Sequence, residues 1–289
     1  RERRTVVTAP EHIVGGAGVH MLLEILCVLL KGRRTVSFPD GSFVQGSTVF
    51  AAHGYTVRTR YKDADIIYVS PSHMNRQGDV MPIQRRLELC AYSADTGAVV
   101  IEDDFENDFL YSSTPTPSLY ALGSGNVVYM GAFSALLLPG IRISFMVLSP
   151  ALAAAYHQMK DTFAQTASKT EQIALCAYLR DGNMKSRTKK IRRLYTSKAK
   201  TLCALLAKAL PDHPVRVGEN GLQVQIETPM LPDSAPFEQA GLALYIVKEK
   251  SGKNIVVVSP SAVPADRLEE AAHAVAAALY KAEEAAKAK

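Results

Sequence analysis

Apolar runs of strand length alternate with amphipathic helical stretches along the first two thirds of the chain. Helices are predicted at 19–30 and 81–94, where apolar residues recur at helical spacing. Strands are predicted at 12–14, 35–38, 65–70, 98–102, 126–130 and 142–148. This alternation is typical of an α/β fold with a mainly parallel mixed sheet and helices on both faces.

The pattern changes after residue 149. Two long helices are predicted, at 150–180 and 184–210. A polar segment follows, and then short strands at 222–227, 242–247 and 255–258 precede a helix at 265–289. We therefore expect a large domain at 1–180 and a small C-terminal α+β domain at 181–289, linked by the helix at 184–210.

Composition adds broad limits to this organisation. The 289 residues include 47% hydrophobic and 21% charged ones with a net charge of +5, which excludes disordered, collagen-like and coiled-coil classes. The four cysteines lack metal-ligand spacing, so we expect buried thiols, a cytoplasmic location and no metal site. The longest apolar run, 21–30, is too short to cross a bilayer, and no membrane partner is expected.

A glycine-rich turn at 15–18 is the first segment that suggests chemistry. It joins a predicted strand to a predicted helix, so backbone N–H groups and the positive end of the helix could hold a bound phosphate. A tight strand-to-helix turn without a ligand explains the same residues. A nucleotide-binding Rossmann domain rests on this turn alone, and Met21 replaces the third glycine of its motif.

Two further segments lie at predicted strand ends. Asp103 ends the strand at 98–102, where α/β sheets place their ligands, although a solvated acidic loop is the simpler interpretation of that motif alone. Ser134 lies in a loop of small residues, and Arg142 enters the next strand. That pair suits an anion site, while the alternative for Arg142 is an ordinary surface arginine.

Taken in order, these segments resemble the aminotransferase-like domain of MocR/GabR-type regulators of the GntR family. This is a branch of the fold-type-I proteins that depend on pyridoxal phosphate (PLP). The resemblance covers nearly the whole chain, and its motifs are PEHIVGGAGVHMLLEILCVLL, DIIYVSPSHMNRQGDVMPIQRRLELC, AVVIEDDFENDFLY, NVVYMGAFSALLLPGIRISFMVL and GNMKSRTKKIRRLY. It implies a fold-type-I large domain, a small C-terminal domain and a homodimer.

The resemblance also implies contacts to PLP. In chain order they fall on Val19, His20, Phe43, Asn75, Asp103, Ser134 and Arg142. The amides of the first two would face the phosphate, which the last two would also bind. Phe43 would stack on the pyridine ring, Asn75 would lie near its phenolic oxygen, and Asp103 would pair with its nitrogen and keep the ring an electron sink.

The family pattern breaks at Ala135, which occupies the position of the lysine that forms the Schiff base with PLP. Alanine has no amine, so no catalytic residue is expected, and PLP would be held non-covalently or the site would be empty. Natural decay and a deliberate replacement of the lysine both explain the alanine. Decay is favoured because further family features are missing at Phe105, Ala132, 73–76 and 254–258.

The sequence therefore predicts a non-catalytic effector-binding and dimerisation domain of a MocR-type transcriptional regulator, which takes PLP or a small anionic metabolite. The alternative is a PLP-dependent class I/II aminotransferase whose catalytic lysine was mutated. Because the chain begins at Arg1 without an initiator methionine, the family's DNA-binding domain is expected upstream and would make the only DNA contacts. The acid-free basic helix at 184–210 is interpreted as a solvated face, with contact to DNA phosphates as the alternative.

Overall fold

The computed structural model describes residues 5–75, 79–104, 117–123, 125–134, 136–137, 140–248 and 254–287. These residues form two compact units. The first unit holds the described residues of 1–74, 81–107 and 114–187, and the second holds those of 75–80 and 188–289.

A seven-stranded mixed sheet forms the centre of the first unit. Its strands are β1 Ile13–Gly16, β2 Thr35–Phe38, β3 Thr56–Thr59, β4 Ile66–Val69, β5 Val99–Asp103, β6 Val127–Ala132 and β7 Ser144–Val147. Their order across the sheet is β1-β7-β6-β5-β4-β2-β3. Strand β7 runs opposite to the other six strands, so its first residues lie at the edge where those strands end.

Helices cover both faces of this sheet. They are α1 Val19–Leu29, α2 Val44–Ala52, α3 Ile83–Thr96, α4 Leu119–Leu122, α5 Pro150–Met159 and α6 Lys169–Arg180. Alternate residues of β5 point to opposite sides: Ile101 is buried in the core that contains Leu22 and Leu26 of α1. Val100 instead is buried with Cys90 of α3 and Leu119 of α4. Burial on both faces explains why the first three residues of β5, Val99 to Ile101, are all apolar.

The prediction of one continuous helix at 150–180 is wrong. Helix α5 ends at Met159, a 3₁₀ turn spans Lys160–Thr162, and α6 begins only at Lys169. The Ser168 side chain caps α6 by accepting a hydrogen bond from the Glu171 amide at 3.5 Å, and this cap starts a new helix. Helix α2 and strand β3 had no counterpart in the sequence-based prediction, because neither segment shows clear apolar periodicity.

The second unit has a four-stranded antiparallel sheet of order β10-β11-β9-β8. Its elements are α7 Asn183–Ala209, β8 Val215–Val217, β9 Val224–Thr228, α8 Ala235–Gln239, β10 Tyr245–Lys248, β11 Asn254–Val258 and α9 Leu268–Lys287. Only the residues of α7 from 188 onward belong to this unit. Leu206 of α7, Ile226 of β9 and Leu279 of α9 are fully buried in one core. The predicted long basic helix is thus confirmed, within one residue at each end.

A buried polar pair joins the segment after α7 to the last helix. His213 Nε2 lies 3.0 Å from Glu283 Oε1, and the two side chains are only 5% and 10% exposed. The His213 ring also packs edge-on against Tyr280, with ring centroids 5.9 Å apart. No described residue forms a hydrogen bond to His213 Nδ1. The pair therefore depends on one contact inside an otherwise apolar region.

Candidate functional site

The glycine turn of the first unit packs directly against an arginine. Gly18 has φ +93°, a conformation that residues with a side chain rarely adopt, and it precedes the first residue of α1. A Cβ added to Gly18 would lie 2.5 Å from Nη2 of Arg142 and 3.1 Å from its Cζ. The guanidinium thus occupies the space that glycine leaves open. We call Gly18, the first turn of α1 and Arg142 the anion cradle.

The strand register explains why Arg142 reaches this turn. Ser144 of β7 pairs with Gly16 of β1 on one side and with Ala132 of β6 on the other. Arg142 lies two residues before Ser144, so the antiparallel course of β7 carries it to the edge where β1 ends. Helix α1 has no acidic residue in its first turn. The positive helix end and the guanidinium therefore combine into a site that favours an anion.

Thr166 supports the glycine turn from the other side. Its Oγ1 accepts a hydrogen bond from the Ala17 amide at 2.9 Å, and it would lie 3.6 Å from a Cβ on Gly16. The residue lies in the break between α5 and α6, which the sequence analysis missed. The signal that was available is the pair Ser168 and Glu171, which has the spacing of a helix-capping box.

Asp103 ends β5 and accepts a hydrogen bond from the Tyr68 hydroxyl on the neighbouring strand β4. Tyr68 is 3% exposed. Burial, followed by the nearby negative charge of Asp103 and their hydrogen bond, raises the pKa of Tyr68 well above its usual value. The phenol therefore stays protonated and holds the carboxylate in place. The sequence analysis selected Asp103 but missed Tyr68.

An aromatic stack adjoins this carboxylate. The Tyr68 ring centroid lies 5.0 Å from that of Phe38 and 5.3 Å from that of Phe43. Phe43 is only partly buried and precedes α2. Its ring lies over Gly46, where an added Cβ would come within 2.3 Å of Phe43 Cε1. Tyr68 contacts both Phe43 and Asp103, so the three side chains form one cluster. We call it the Asp103 cluster.

A substitution at Gly46 tests this packing. In an exposed helix, alanine in place of glycine would stabilise by roughly 0.5–1 kcal/mol. Here we expect Gly46→Ala to lower the free energy of unfolding by about 1–3 kcal/mol, because the new methyl group displaces the Phe43 ring. Urea unfolding of the single variants and of the double variant with Phe43→Leu measures the coupling. If Gly46→Ala lowers the free energy of unfolding by the same amount in the Phe43→Leu variant, contact with the Phe43 ring does not cause the loss of stability.

The other carboxylates of the 102–104 segment are also engaged. Asp104 accepts hydrogen bonds from the Tyr129 hydroxyl and, at 3.1 Å, from Ser72 Oγ. Glu102 is fully buried and accepts a hydrogen bond from the Tyr120 amide at 3.0 Å. A solvated acidic loop is therefore the wrong interpretation for these three residues.

The remaining predicted residues have separate positions. Val19 is partly buried and His20 exposed, as the first residues of α1, and His20 Nε2 lies 3.4 Å from Glu24 Oε1. Ser134 is partly buried in the turn after β6, and the Phe133 amide beside it donates to the Ile143 carbonyl at 3.0 Å. Asn75 belongs to the second unit, where its side-chain amide donates to Asp79 at 2.7 Å. Ala135 and Phe105 lie outside the described residues.

Metal and membrane sites were also sought in the described part of the chain. There, no group of three or more histidine, cysteine, aspartate or glutamate side chains is arranged to hold a metal ion. No helix in that part is long and apolar enough to cross a membrane. The anion cradle and the Asp103 cluster are therefore the features of the first unit that need a functional explanation.

Solved structures of known proteins match this fold. An archaeal alanine:glyoxylate aminotransferase superposes with a TM-score of 0.80 at 20% identity. The superposition covers 97% of this chain and 78% of the archaeal enzyme. The α-aminoadipate aminotransferase LysN of Thermus thermophilus superposes with a TM-score of 0.75 at 22% identity, covering 96% and 79%. The predicted fold class, a fold-type-I aminotransferase-like α/β structure, is confirmed.

Several curated relatives are transcriptional regulators, and others are aminotransferases, such as the 2-aminoadipate transaminase of Thermus thermophilus. The uncharacterized HTH-type transcriptional regulators YdeL and YhdI of Bacillus subtilis (strain 168) are 29% and 33% identical over 274 and 239 residues. These matches cover 90% and 78% of this chain, and 57% and 51% of the relatives. The probable rhizopine catabolism regulatory protein MocR of Rhizobium meliloti is 27% identical over 241 residues, or 78% of this chain and 49% of MocR. The chain thus spans about half the length of the curated relatives it matches.

The family profile agrees with the fold and with these relatives. The profile described as aminotransferase class I and II matches residues 61–265. This range includes Tyr68, Asp103 and Arg142, whereas Phe43 and the glycine turn lie before it. The chain belongs to the aminotransferase class I and II family, as an aminotransferase-like domain homologous to MocR-type transcriptional regulators.

Proposed function

We propose that this chain is the effector-binding and dimerisation module of a MocR-type transcriptional regulator, and that it binds PLP or a small anionic metabolite without transaminating it. The contact between Arg142 and Gly18 supports this proposal most directly. It puts a guanidinium at the start of a helix, where an anion is favoured. Among the described residues, no carboxylate forms an ion pair with Arg142.

The residues present fit PLP, which carries a phosphate on a pyridine ring. When bound, PLP supplies a ring that draws electrons from an attached amino acid. Arg142 and the amides of Val19 and His20 would bind its phosphate, with Ser134 as a further ligand. Asp103, held by Tyr68, would pair with the ring nitrogen, and Phe43 would cover the ring. A smaller anionic metabolite would use the cradle alone.

The absence of transaminase activity is proposed from Ala135. A methyl side chain can neither bond covalently to PLP nor take up or deliver a proton. The next lysine along the chain toward the C-terminus is Lys160, which lies exposed on the 3₁₀ turn after α5. In our proposal binding is retained while turnover is lost, and the bound ligand acts as a signal.

Restoring the lysine tests whether the site binds PLP without turnover. We expect the natural chain to bind PLP reversibly, with no adduct fixed by borohydride, whereas Ala135→Lys becomes covalently labelled by PLP after borohydride reduction. Absorbance spectra and intact mass measure both outcomes, with Ala135→Met as a matched long side chain without an amine. A borohydride-fixed adduct in the natural chain would show that the proposal of purely non-covalent binding is wrong. Transamination by Ala135→Lys would instead support the alternative of an aminotransferase with a mutated lysine.

The partners follow from the same proposal. The module would form a homodimer in the cytoplasm and contact DNA only through an upstream domain. Light scattering of the chain at micromolar concentration should give the mass of a dimer. A monomer under these conditions would contradict the dimerisation role, whereas ligand binding would still be judged by the absorbance spectra and intact masses described above.

A further inference from the structure

A polar cavity lies wholly within the second unit. Its volume is about 450 Å³, and its walls include Thr196 and Lys200 of α7, Arg216 of β8, Gln225 of β9, and the acidic side chains Asp79 and Glu219. Small-molecule sites typically have volumes of this order. The cavity is therefore large enough for a metabolite and is lined by groups that bind polar ligands.

Hydrogen bonds hold the walls of this cavity in place. Gln225 is buried, and its Oε1 accepts a hydrogen bond from Arg216 Nε at 2.9 Å. Glu219 Oε2 accepts one from the Val80 amide at 3.1 Å, which ties the loop after β8 to the segment that carries Asp79. Both ends of the site are thus preorganised, which lowers the entropy cost of binding.

Two glycines border the cavity. The Gly221 amide donates to the Gly218 carbonyl at 2.9 Å, and the Gly218 amide donates to the Gln223 carbonyl at the same distance. Gly221 has φ +72°, so this tight turn requires glycine there. Two residues without side chains therefore border the space beside the charged groups.

Thr196 lines the cavity and carries a buried hydroxyl. The residue is 5% exposed, and its Oγ1 has no hydrogen-bond partner among the described residues. A buried hydroxyl without a partner costs free energy, and such a group in a native structure calls for an explanation. A ligand oxygen or nitrogen in the cavity would satisfy it.

The charges around the cavity select the kind of ligand. Lys200 and Arg216 contribute two positive charges to the lining, and Asp79 and Glu219 contribute two negative ones. Arg216 Nη1 also lies 3.8 Å from Oε1 of Glu227, a carboxylate outside the lining. A simple anion would be repelled by the two carboxylates, and a metal cation by Lys200 and Arg216. A zwitterion satisfies both, because its carboxylate can face the cations and its ammonium group the acids.

We infer that this cavity binds a free amino acid, with the carboxylate toward Arg216 and Lys200, the ammonium group toward Asp79 and Glu219, and a hydrogen bond to Thr196. This inference concerns the second unit alone. It does not depend on PLP binding in the first unit.

Calorimetric titration of the full chain with each proteinogenic amino acid, without added PLP, tests the inference. At least one amino acid should bind saturably at millimolar concentration, while its N-acetyl and carboxamide derivatives should not. Arg216→Gln should weaken binding roughly 10- to 100-fold and Thr196→Val about 2- to 10-fold. The matched controls Arg193→Gln and Thr201→Val change exposed residues of α7 outside the cavity and should leave the affinity unchanged.

Three results would overturn this assignment. The first is no saturable heat with any amino acid. The second is equal affinity in the natural chain and Arg216→Gln, with thermal unfolding showing that the variant is folded. The third is loss of binding in Arg142→Gln, because that would place the amino acid in the first unit. Thr196→Val removes an unpaired buried hydroxyl, so its unfolding temperature should not fall.

Discussion

Replacing Glu283 by alanine should lower the free energy of unfolding of the second unit by about 1–3 kcal/mol, because it leaves a buried histidine nitrogen without its hydrogen-bond partner. His213 Nε2 lies 3.0 Å from Glu283 Oε1, and Nδ1 of the same ring has no partner among the described residues. Both ring nitrogens would then be buried and unsatisfied. Hydrogen exchange of the α9 amides and thermal unfolding by circular dichroism measure the loss.

Two comparisons make this prediction specific. Glu284→Ala, the exposed neighbour on the same helix, should change stability by no more than about 0.5 kcal/mol. The double variant His213→Leu with Glu283→Leu should recover much of the loss, since an apolar pair leaves no buried polar group to satisfy. A double variant as unstable as Glu283→Ala would show that packing at this position, rather than the polar pair, determines the stability.

Replacing Arg142 by glutamine should weaken PLP binding roughly 10- to 150-fold, which corresponds to the 1.5–3 kcal/mol typical of a hydrogen bond to a charged group. Glutamine keeps much of the side-chain length and loses the positive charge next to Gly18. Equilibrium titration of PLP, followed by absorbance and by calorimetry, gives the change in Kd. Inorganic phosphate should compete with PLP for the natural chain and compete poorly for the variant.

The control for charge is Arg58→Gln. Arg58 is exposed on β3, the strand at the opposite edge of the sheet from β1. Arg58→Gln lowers the net charge by the same amount as Arg142→Gln. PLP affinity in this variant should match that of the natural chain. If both variants weaken PLP binding by the same factor, the effect comes from overall charge, and the assignment of Arg142 to the cradle is incorrect.

The central strands could be predicted from the sequence because burial on both faces leaves a clear signal. The apolar runs predicted at 65–70 and 98–102 correspond to β4 and β5, and α1 begins at Val19 as predicted. Asp103 is selected through the family resemblance, because its motif alone favours a solvated acidic loop. The strand and helix predictions, by contrast, use only local patterns of side chains.

The contacts that build the site could not be predicted in this way. Residues 17 and 166 are hydrogen-bonded although 149 positions separate them, and periodicity carries no information on strand order. Arg142 reaches Gly18 because β7 is inserted antiparallel between β1 and β6. The role of Tyr68 likewise depends on β4 and β5 being neighbours. Local sequence decides the elements, whereas these contacts depend on how the elements are arranged.

The pairing of β1 with β7 has a consequence for how the chain folds. Ile13 pairs with Val147 and Gly16 with Ser144, so this edge of the sheet closes through contacts between residues far apart in the sequence, which form slowly. Because both sides of the cradle come from these two segments, an anion binds only the closed sheet. Such a ligand would stabilise the closed state by about 2.7 kcal/mol at a concentration of 100 times Kd. The concentration of the ligand would therefore determine how much of the time β1 stays paired with β7 and protected from proteases.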